Sequence, residues 1–444
     1  MLLMMETTAS AQAIPPGMEQ IEHIVVLYME NRSFDNMFAL FPGASGLKEA
    51  ERAPVQVDWR SGRDLVQLPR VMNTNVQPAV EDARFPKTLP NRPWPIDDFV
   101  SHNDRMPNLI HEFHVHQYQI NGGRNDLFAS LSGGLTMGYH DTRSTRLWAL
   151  AAEYTLADNF FQAAFGGSFL NHMWLACACT PVFPDAPDQM RVKLDEKGIL
   201  LRSGQVTPDG YAVNTLEPRG GPHLSGSGLA NLLPPQTAPT IGDRLSEKGI
   251  SWAWYSGGWD DAENGNPGAD FQYHHQPYAF FARYARGTNE RAEHIRDDTQ
   301  LVLDLKVGKF PQVVFVKPRG LENQHPGYAN LADGDRYIGN LVSAIQASSY
   351  WPKTAIIVTY DEFGGLWDHV PPPKGDRWGP GTRIPAVVIS PFARRGYVDH
   401  TQYDTTSVLK TIEVRFGIEP LTDRDRAAAP MLQAFAFGQT RSIK

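Results

Sequence analysis

Cysteine is almost absent from this chain: Cys177 and Cys179 are the only two among 444 residues. So little cysteine gives no disulfide framework, and it fits either the cytoplasm or an export route that needs no bridges. The pair falls two apart at the end of an expected helix, where side chains diverge, so buried free thiols are expected rather than a bridge. Also missing is any run of about 18 or more apolar residues, the length a membrane-spanning helix needs. Basic excess is lacking too, with 41 Lys and Arg against 49 Asp and Glu and a formal net charge of -8. No basic run offers a face that would displace phosphate counterions, so no nucleic-acid partner is expected. No internal repeat is present.

What the chain does have is 38 glycines and 34 prolines, which point to many ordered loops rather than long helices. Apolar strands such as IVVLYM, SWAWYS, QVVFVKP, TAIIVTY and IPAVVIS alternate with helical patterns at Thr142 to Glu153, Thr240 to Lys248, Asp335 to Ser349 and Thr405 to Phe416. That rhythm predicts a three-layer α/β/α sandwich around a mostly parallel sheet. One catalytic domain over 21–440 is expected, with long insertions at about 50–107 and 181–240, the second a lid or rim with a hairpin in VKLDEKGILL. Residues 1–20 form a separate N-terminal segment. MLLMM followed by ASAQA looks like the remnant of a signal peptide, although the basic start is missing and Glu6 interrupts the apolar run. Periplasmic or secreted placement is the expectation, with the cytoplasm as the alternative.

Two of the strands end in acid. Ile24 to Met29 runs into Glu30, Asn31, Arg32 and, at 35, Asp35; Thr354 to Tyr360 runs into Asp361 and Glu362. In an open parallel sheet, ligands bind outside the carboxyl ends of the strands. One such acidic pair reads equally well as a solvated strand end. Gly166 and Gly167 directly precede Ser168, which opens a helix, so the backbone turns tightly there and free N–H groups face an incoming anion. Seen alone, Ser168 reads more simply as a helix N-cap.

A helix within Asn108 to Phe128, ending near Asn121 and Gly122, carries His111, His114 and His116. A zinc site there is disfavoured, because the three do not share one helical face and no acidic or cysteine partner completes the spacing. His274 and His275 fall in a loop and His325 in another. Asn31-Arg32-Ser33 matches a glycosylation sequon but lies inside the candidate site, and Trp252 and Trp254 read as buried strand packing. Gathered at one sheet edge, Glu30, Asn31, Asp361 and Glu362 are hard oxygen ligands whose mutual repulsion requires a divalent cation. A metal beside Ser168 would hold its alkoxide for in-line attack on phosphorus while histidines bind phosphoryl oxygens or protonate the leaving group.

ENRSFD, FGGSFLNH, FQYHHQP, ENQHPGY and TYDEFGGLWDHV, in that order, resemble the bacterial phosphoesterase family of acid phosphatase A and the phosphatidylcholine-type phospholipases C, within the alkaline-phosphatase-like superfamily. The resemblance runs from about Ile21 to Ala428. It implies that Ser168 is the nucleophile and that Glu30, Asn31, Asp361, Glu362 and Ser168 hold the metal, which is Ca, Mg, Mn or Zn. It places His111, His325, His274 and His275 near the phosphate. His172 reads as a helix residue supporting the nucleophile. Asp368 and His369 read as support for the ligands, or as remnants of a two-metal site.

A metal-dependent phosphomonoesterase working through phosphoserine on a small-molecule phosphate ester is the leading expectation. Phospholipase members carry extra C-terminal β modules, whereas this chain ends soon after LTDRDRAAAPML. A phospholipase C-type diesterase acting on a lipid head-group ester is the alternative, with no integral membrane contact. A non-catalytic phosphate- or sugar-binding protein is disfavoured by the retained nucleophile and acidic shell. A sulfatase is disfavoured because SFLNH lacks the Pro and Arg of the C/S-x-P-x-R context.

Overall fold

The computed structural model describes residues 14–438. The signal-peptide-like stretch in residues 1–13 lies outside the described residues. The core is an eight-stranded sheet. In chain order its strands are β1 His23–Met29, β2 Thr155–Ala157, β3 Trp252–Ser256, β4 Ile295–Asp297, β5 Val313–Lys317, β6 Thr354–Tyr360, β7 Ala386–Ile389 and β8 Tyr397–Asp399. Across the sheet they run β4-β3-β5-β1-β6-β7-β2-β8. All pairings are parallel except the two made by β7, which is antiparallel to both neighbours. The central strands β1 and β6 are buried along all seven residues each, as strands covered on both faces must be, which is why they read as unbroken apolar runs.

Helices cover both faces. α1 is Phe34–Phe38, α2 Phe113–Ile120, α3 Arg146–Glu153, α4 Ser168–Cys177, α5 Ile241–Glu247, α6 Asp298–Lys306, α7 Leu331–Gln346 and α8 Thr405–Phe416. α3 packs against α7, while α4 packs against α5 and α8. α7 shows why these sequences form helices: Asn330 caps it by accepting the Asp333 N–H, and Ile338, Leu341, Val342 and Ile345 form the buried stripe. Among the described residues, no helix is long and apolar enough to cross a membrane.

Two local expectations are corrected. The helix expected to carry His111 starts only at Phe113, with Glu112 extended before it. Tertiary packing overrides the helical pattern here: the Leu109–Ile110 backbone lies so close to Gly365 that a Cβ on that glycine would sit 2.6 Å from Leu109 Cβ and 2.7 Å from the Ile110 carbonyl. The other correction concerns the cysteines, which are joined in a disulfide rather than free. α4 stops at Cys177 because Ala178 turns left-handed, φ 49°. The turn folds residue 179 back, with the two Cα atoms 5.1 Å apart; the divergence argued for a continuing helix does not apply.

Both long insertions are ordered. In the second, Lys193–Leu194 pairs antiparallel with Leu200–Arg202, as the hairpin signal indicated. In the first, Trp94–Pro95 runs alongside Gly138–Tyr139.

Because β1 and β6 carry the site between them, a cavity beneath them should destabilise the whole sheet. Ile356→Ala, at a fully buried position of β6, is expected to lower the unfolding free energy by about 2–5 kcal/mol in urea titrations.

Candidate functional site

β1 and β6 lie side by side in parallel, with Met29 opposite Tyr360. The residues that follow therefore emerge together: Glu30 and Asn31 next to Asp361 and Glu362. Backbone bonds lock the two ends. Asp361 N–H donates to the Met29 carbonyl (3.0 Å) and Arg32 N–H to the Glu362 carbonyl (2.9 Å). Asn31 N–H donates to Asp361 Oδ1 at 3.0 Å. Asn31 is left-handed, φ 54°, a conformation its short polar side chain tolerates. Gly364, φ +65°, passes so close that a Cβ would lie 2.7 Å from the Asn31 carbonyl oxygen; its N–H donates to Glu362 Oε2.

Ser168 reaches this edge from the start of α4. Gly166, φ +85°, makes the turn, where a Cβ would come within 2.7 Å of the Phe113 backbone. Gly167 occupies the N-cap, so Ser168 is the first helical residue and its hydroxyl does not cap α4. Instead Ser168 Oγ lies 3.0 Å from Glu30 Oε2, 3.2 Å from Asn31 Oδ1 and 3.2 Å from Glu362 Oε1. A hydroxyl has one proton to donate. Three acceptors around it make an oxygen nest that suits a cation better than hydrogen bonding alone.

Electrostatics lead to the same conclusion. Glu30, Asp361 and Glu362 are fully buried. Burial pushes the Asp361 carboxyl well above the usual range, and Glu30 adds to the rise. Glu362 is raised by burial and then by Asp361. Glu30 moves the other way: burial opposes its charge, but Lys317 and His275 hold it well below the ordinary value. Lys317, itself fully buried, places Nζ 2.6 Å from Glu30 Oε1. Asp361 Oδ2 and Asn31 Nδ2 are buried without a hydrogen-bond partner. One ammonium against three carboxylates leaves an excess of negative charge, and the donors are hard oxygens; these residues fit a divalent cation.

The histidines surround this nest. His111 Nδ1 bonds the Leu109 carbonyl at 2.6 Å, and Nε2 faces Glu362 Oε1 at 3.6 Å. His325 Nδ1 bonds the Pro326 carbonyl, its ring stacks on Tyr328, and Nε2 is 4.0 Å from Glu30 Oε2. His275 Nε2 lies 2.9 Å from Glu30 Oε1, and His274 packs edge-on against it. His172 is one turn along α4 from the serine, with Nδ1 2.7 Å from the Ser168 carbonyl. Burial lowers the basicity of all five, that of His325 to about 3. A cavity of about 750 Å³ opens in front of Ser168, walled by Asn75, Asn108, His111, Glu112, His274 and His325 among others. Among the described residues, no Lys or Arg lines it.

His114 and His116 do not join His111 in a metal-binding group among the described residues. His116 instead accepts the Gly166 N–H at 2.9 Å and bonds Thr382 at 2.8 Å, which fixes the turn before Ser168. Asp368 and His369 also stay out of the nest. With Asp35 they surround Arg383: its Nε is 2.9 Å from Asp368 Oδ1 and Nη2 is 3.0 Å from Asp35 Oδ1, while His369 Nδ1 is 2.7 Å from Asp35 Oδ2. That lattice ties the segment after Glu30–Asn31 to the segment after Asp361–Glu362. Lys317 and Arg383 escaped the sequence reading, as did the part His116 plays in fixing the turn before Ser168. Lys317 had a usable signal, since QVVFVKP is a buried strand that ends in a charge, as the two acidic strands do.

A model of the Phosphoesterase family matches residues 21–419. Phospholipase C A of Mycobacterium tuberculosis is 26% identical over 478 aligned residues, covering 97% of this chain and 80% of the relative. Non-hemolytic phospholipase C of Pseudomonas aeruginosa is 24% identical over 452 residues, covering 92% of this chain and 56% of the relative. A solved structure of a protein in the alkaline phosphatase superfamily from Vibrio parahaemolyticus overlaps 63% of this chain and 62% of its own, with a TM-score of 0.34 and 14% identity. An overlap of that extent adds no weight to the fold, which stands on strand order and direction.

The Lys317–Glu30 pair is testable in metal-free protein. Lys317→Met leaves a buried carboxylate without its ammonium and is expected to cost about 3–5 kcal/mol of stability in chemical denaturation. Adding Glu30→Gln should recover most of that loss.

Proposed function

Because the chain belongs to the phosphoesterase family and is a phosphoric ester hydrolase, we propose that Ser168 is its nucleophile and that hydrolysis passes through a phosphoserine. The observation that carries this reading is the position of Ser168 Oγ, at a helix start and within 3.2 Å of oxygens of Glu30, Asn31 and Glu362. Glu30, Asn31, Asp361 and Glu362, with Ser168, would hold a divalent ion, which would supply charge compensation and favour the ionised hydroxyl. The all-oxygen set suits Mg²⁺, Ca²⁺ or Mn²⁺ and also admits Zn²⁺.

The remaining roles belong to the protein's own groups. The free N–H groups at the start of α4 face the phosphoryl oxygens, with the helix dipole favouring their charge. In neutral His111 and His325 the carbonyl bond made by each Nδ1 holds the ring proton there, so Nε2 faces the site with a free lone pair. Each Nε2 can accept a proton alongside an anionic ester and return it to the leaving oxygen, or take one from the water that cleaves the phosphoserine. His172 fixes the first turn of α4, and His275 with Lys317 fixes Glu30.

Two ester classes fit, each on its own observation. The cavity wall offers Glu112 and no Lys or Arg, which favours a monoanionic diester with a neutral or cationic head group. The phospholipase C names of the relatives are consistent with that reading, and we put the diester first here, where the sequence put the monoester first. The free N–H groups at the start of α4 beside Ser168 suit the monoester, whose additional charge needs more donors.

Hydrolysis of p-nitrophenylphosphorylcholine and p-nitrophenyl phosphate distinguishes these readings. Ser168→Ala should lower kcat on the preferred ester by roughly 10³-fold or more. Chelation should abolish turnover and readdition of a divalent ion restore it. Undiminished turnover by Ser168→Ala would contradict the covalent route, and a preference for the monoester would reverse the order of substrates.

A further inference from the structure

Well outside the Ser168 cavity, the first insertion brings a carboxylate and two imidazoles together. Trp94–Pro95 pairs with Gly138–Tyr139, Pro95 opposite Tyr139, and Ile96 N–H donates to the Tyr139 carbonyl at 2.9 Å. That register sets Asp97 against His140. His140 Nδ1 lies 2.6 Å from Asp97 Oδ1, and His102 Nε2, five residues further along the insertion, lies 3.5 Å from the same oxygen. The two rings meet edge to face with centroids 5.4 Å apart. One ligand atom from each of the three falls within 4.8 Å of the others.

A simple hydrogen-bonded pair would need only Asp97 and His140. His102 is too far for a good hydrogen bond to Asp97, yet it completes a set of two imidazoles and one carboxylate. His140 is 2% exposed and its Nε2 has no hydrogen-bond partner. Asp97 and His102 are open to solvent on one side, with side chains 25% and 19% exposed. They border a cavity of about 460 Å³ that is also lined by Ser101, Asp141 and Ser144, which gives an ion a route in and water ligands room. Burial pushes the His140 imidazole down to about 4, against the pull of Asp97, which leaves the ring neutral with one free lone pair. Of the charges facing the cluster, Arg32 opposes a cation, Arg143 is paired with Asp141, and Asp97 itself favours one.

We propose that Asp97, His102 and His140 form a second metal site, suited by its two nitrogens and one oxygen to a borderline divalent ion such as Zn²⁺. The site pins the first insertion to the core, because the His140 N–H donates to the Asn36 carbonyl of α1 at 2.8 Å, one short helix away from Glu30 and Asn31. The same insertion supplies Thr74 and Asn75 to the wall of the Ser168 cavity. The ion therefore braces a substrate wall without touching substrate.

The test uses the whole chain, stripped with chelator and reloaded with Zn²⁺, with bound metal counted by elemental analysis. A parallel loading with Co²⁺ is read by its visible ligand-field bands. His102→Ala and His102→Gln are each expected to bind one ion fewer than the unaltered protein and to lose the bands of a nitrogen-ligated ion. Asp361→Asn with Glu362→Gln, which empties the acidic nest, is expected to keep one ion and to melt at a higher temperature when Zn²⁺ is added. Equal metal content in the His102 variants and the unaltered protein would overturn the proposal, as would a folded Asp361→Asn/Glu362→Gln protein that binds none. Should that double variant not fold, the His102 comparison alone decides.

Discussion

Three carboxylates buried where two central strands end side by side place the strongest constraint on this structure. Glu30, Asp361 and Glu362 are shielded from water, and among the described residues only Lys317 stands against them as a fixed ammonium. Concentrated buried negative charge is costly unless a cation offsets it. The surroundings of the nest are built to hold that arrangement. Left-handed Asn31 and the close pass of Gly364 bring the two strand ends into contact, and the Asp35–Arg383–Asp368–His369 lattice fastens the chain just beyond each acidic pair.

The same constraint accounts for the position of Ser168, the proposed nucleophile. Ser168 sits at the first residue of α4 rather than at its cap, so the hydroxyl is free to face the carboxylates, while Gly167, Ser168 and Phe169 at the helix start line the cavity. His116 holds the Gly166 turn from behind, and His172 holds the first turn of the helix from within. The long insertions reach the candidate site as well: Thr74 and Asn75 come from the first, and Gln205 and Asn214 from the second, all lining one cavity.

Much of this was legible in the sequence because it follows from local chemistry. A buried strand that stops in acid is visible as a run of letters, so the sequence alone brings Glu30, Asn31, Asp361 and Glu362 to one edge. Gly-Gly-Ser before an apolar helix is equally plain. Features that depend on tertiary contact were not legible. Leu109 and Ile110 look helical but lie outside the helix, packed close to Gly365, which moves His111 off the helix. Ala178 gives no warning that it turns left-handed and closes the Cys177–Cys179 bridge. Arg383 lies just ahead of β7, and only the antiparallel placement of that strand brings it between Asp35 and Asp368.

Acid quenching during turnover, followed by mass spectrometry of the peptide that contains Ser168, tests the central claim most directly. The account predicts a labile adduct on Ser168 that disappears on chelation: a phosphate from a monoester, or a phosphate still carrying its head group from a diester. Steady turnover with Ser168 unmodified, or with the adduct on a histidine, would contradict it.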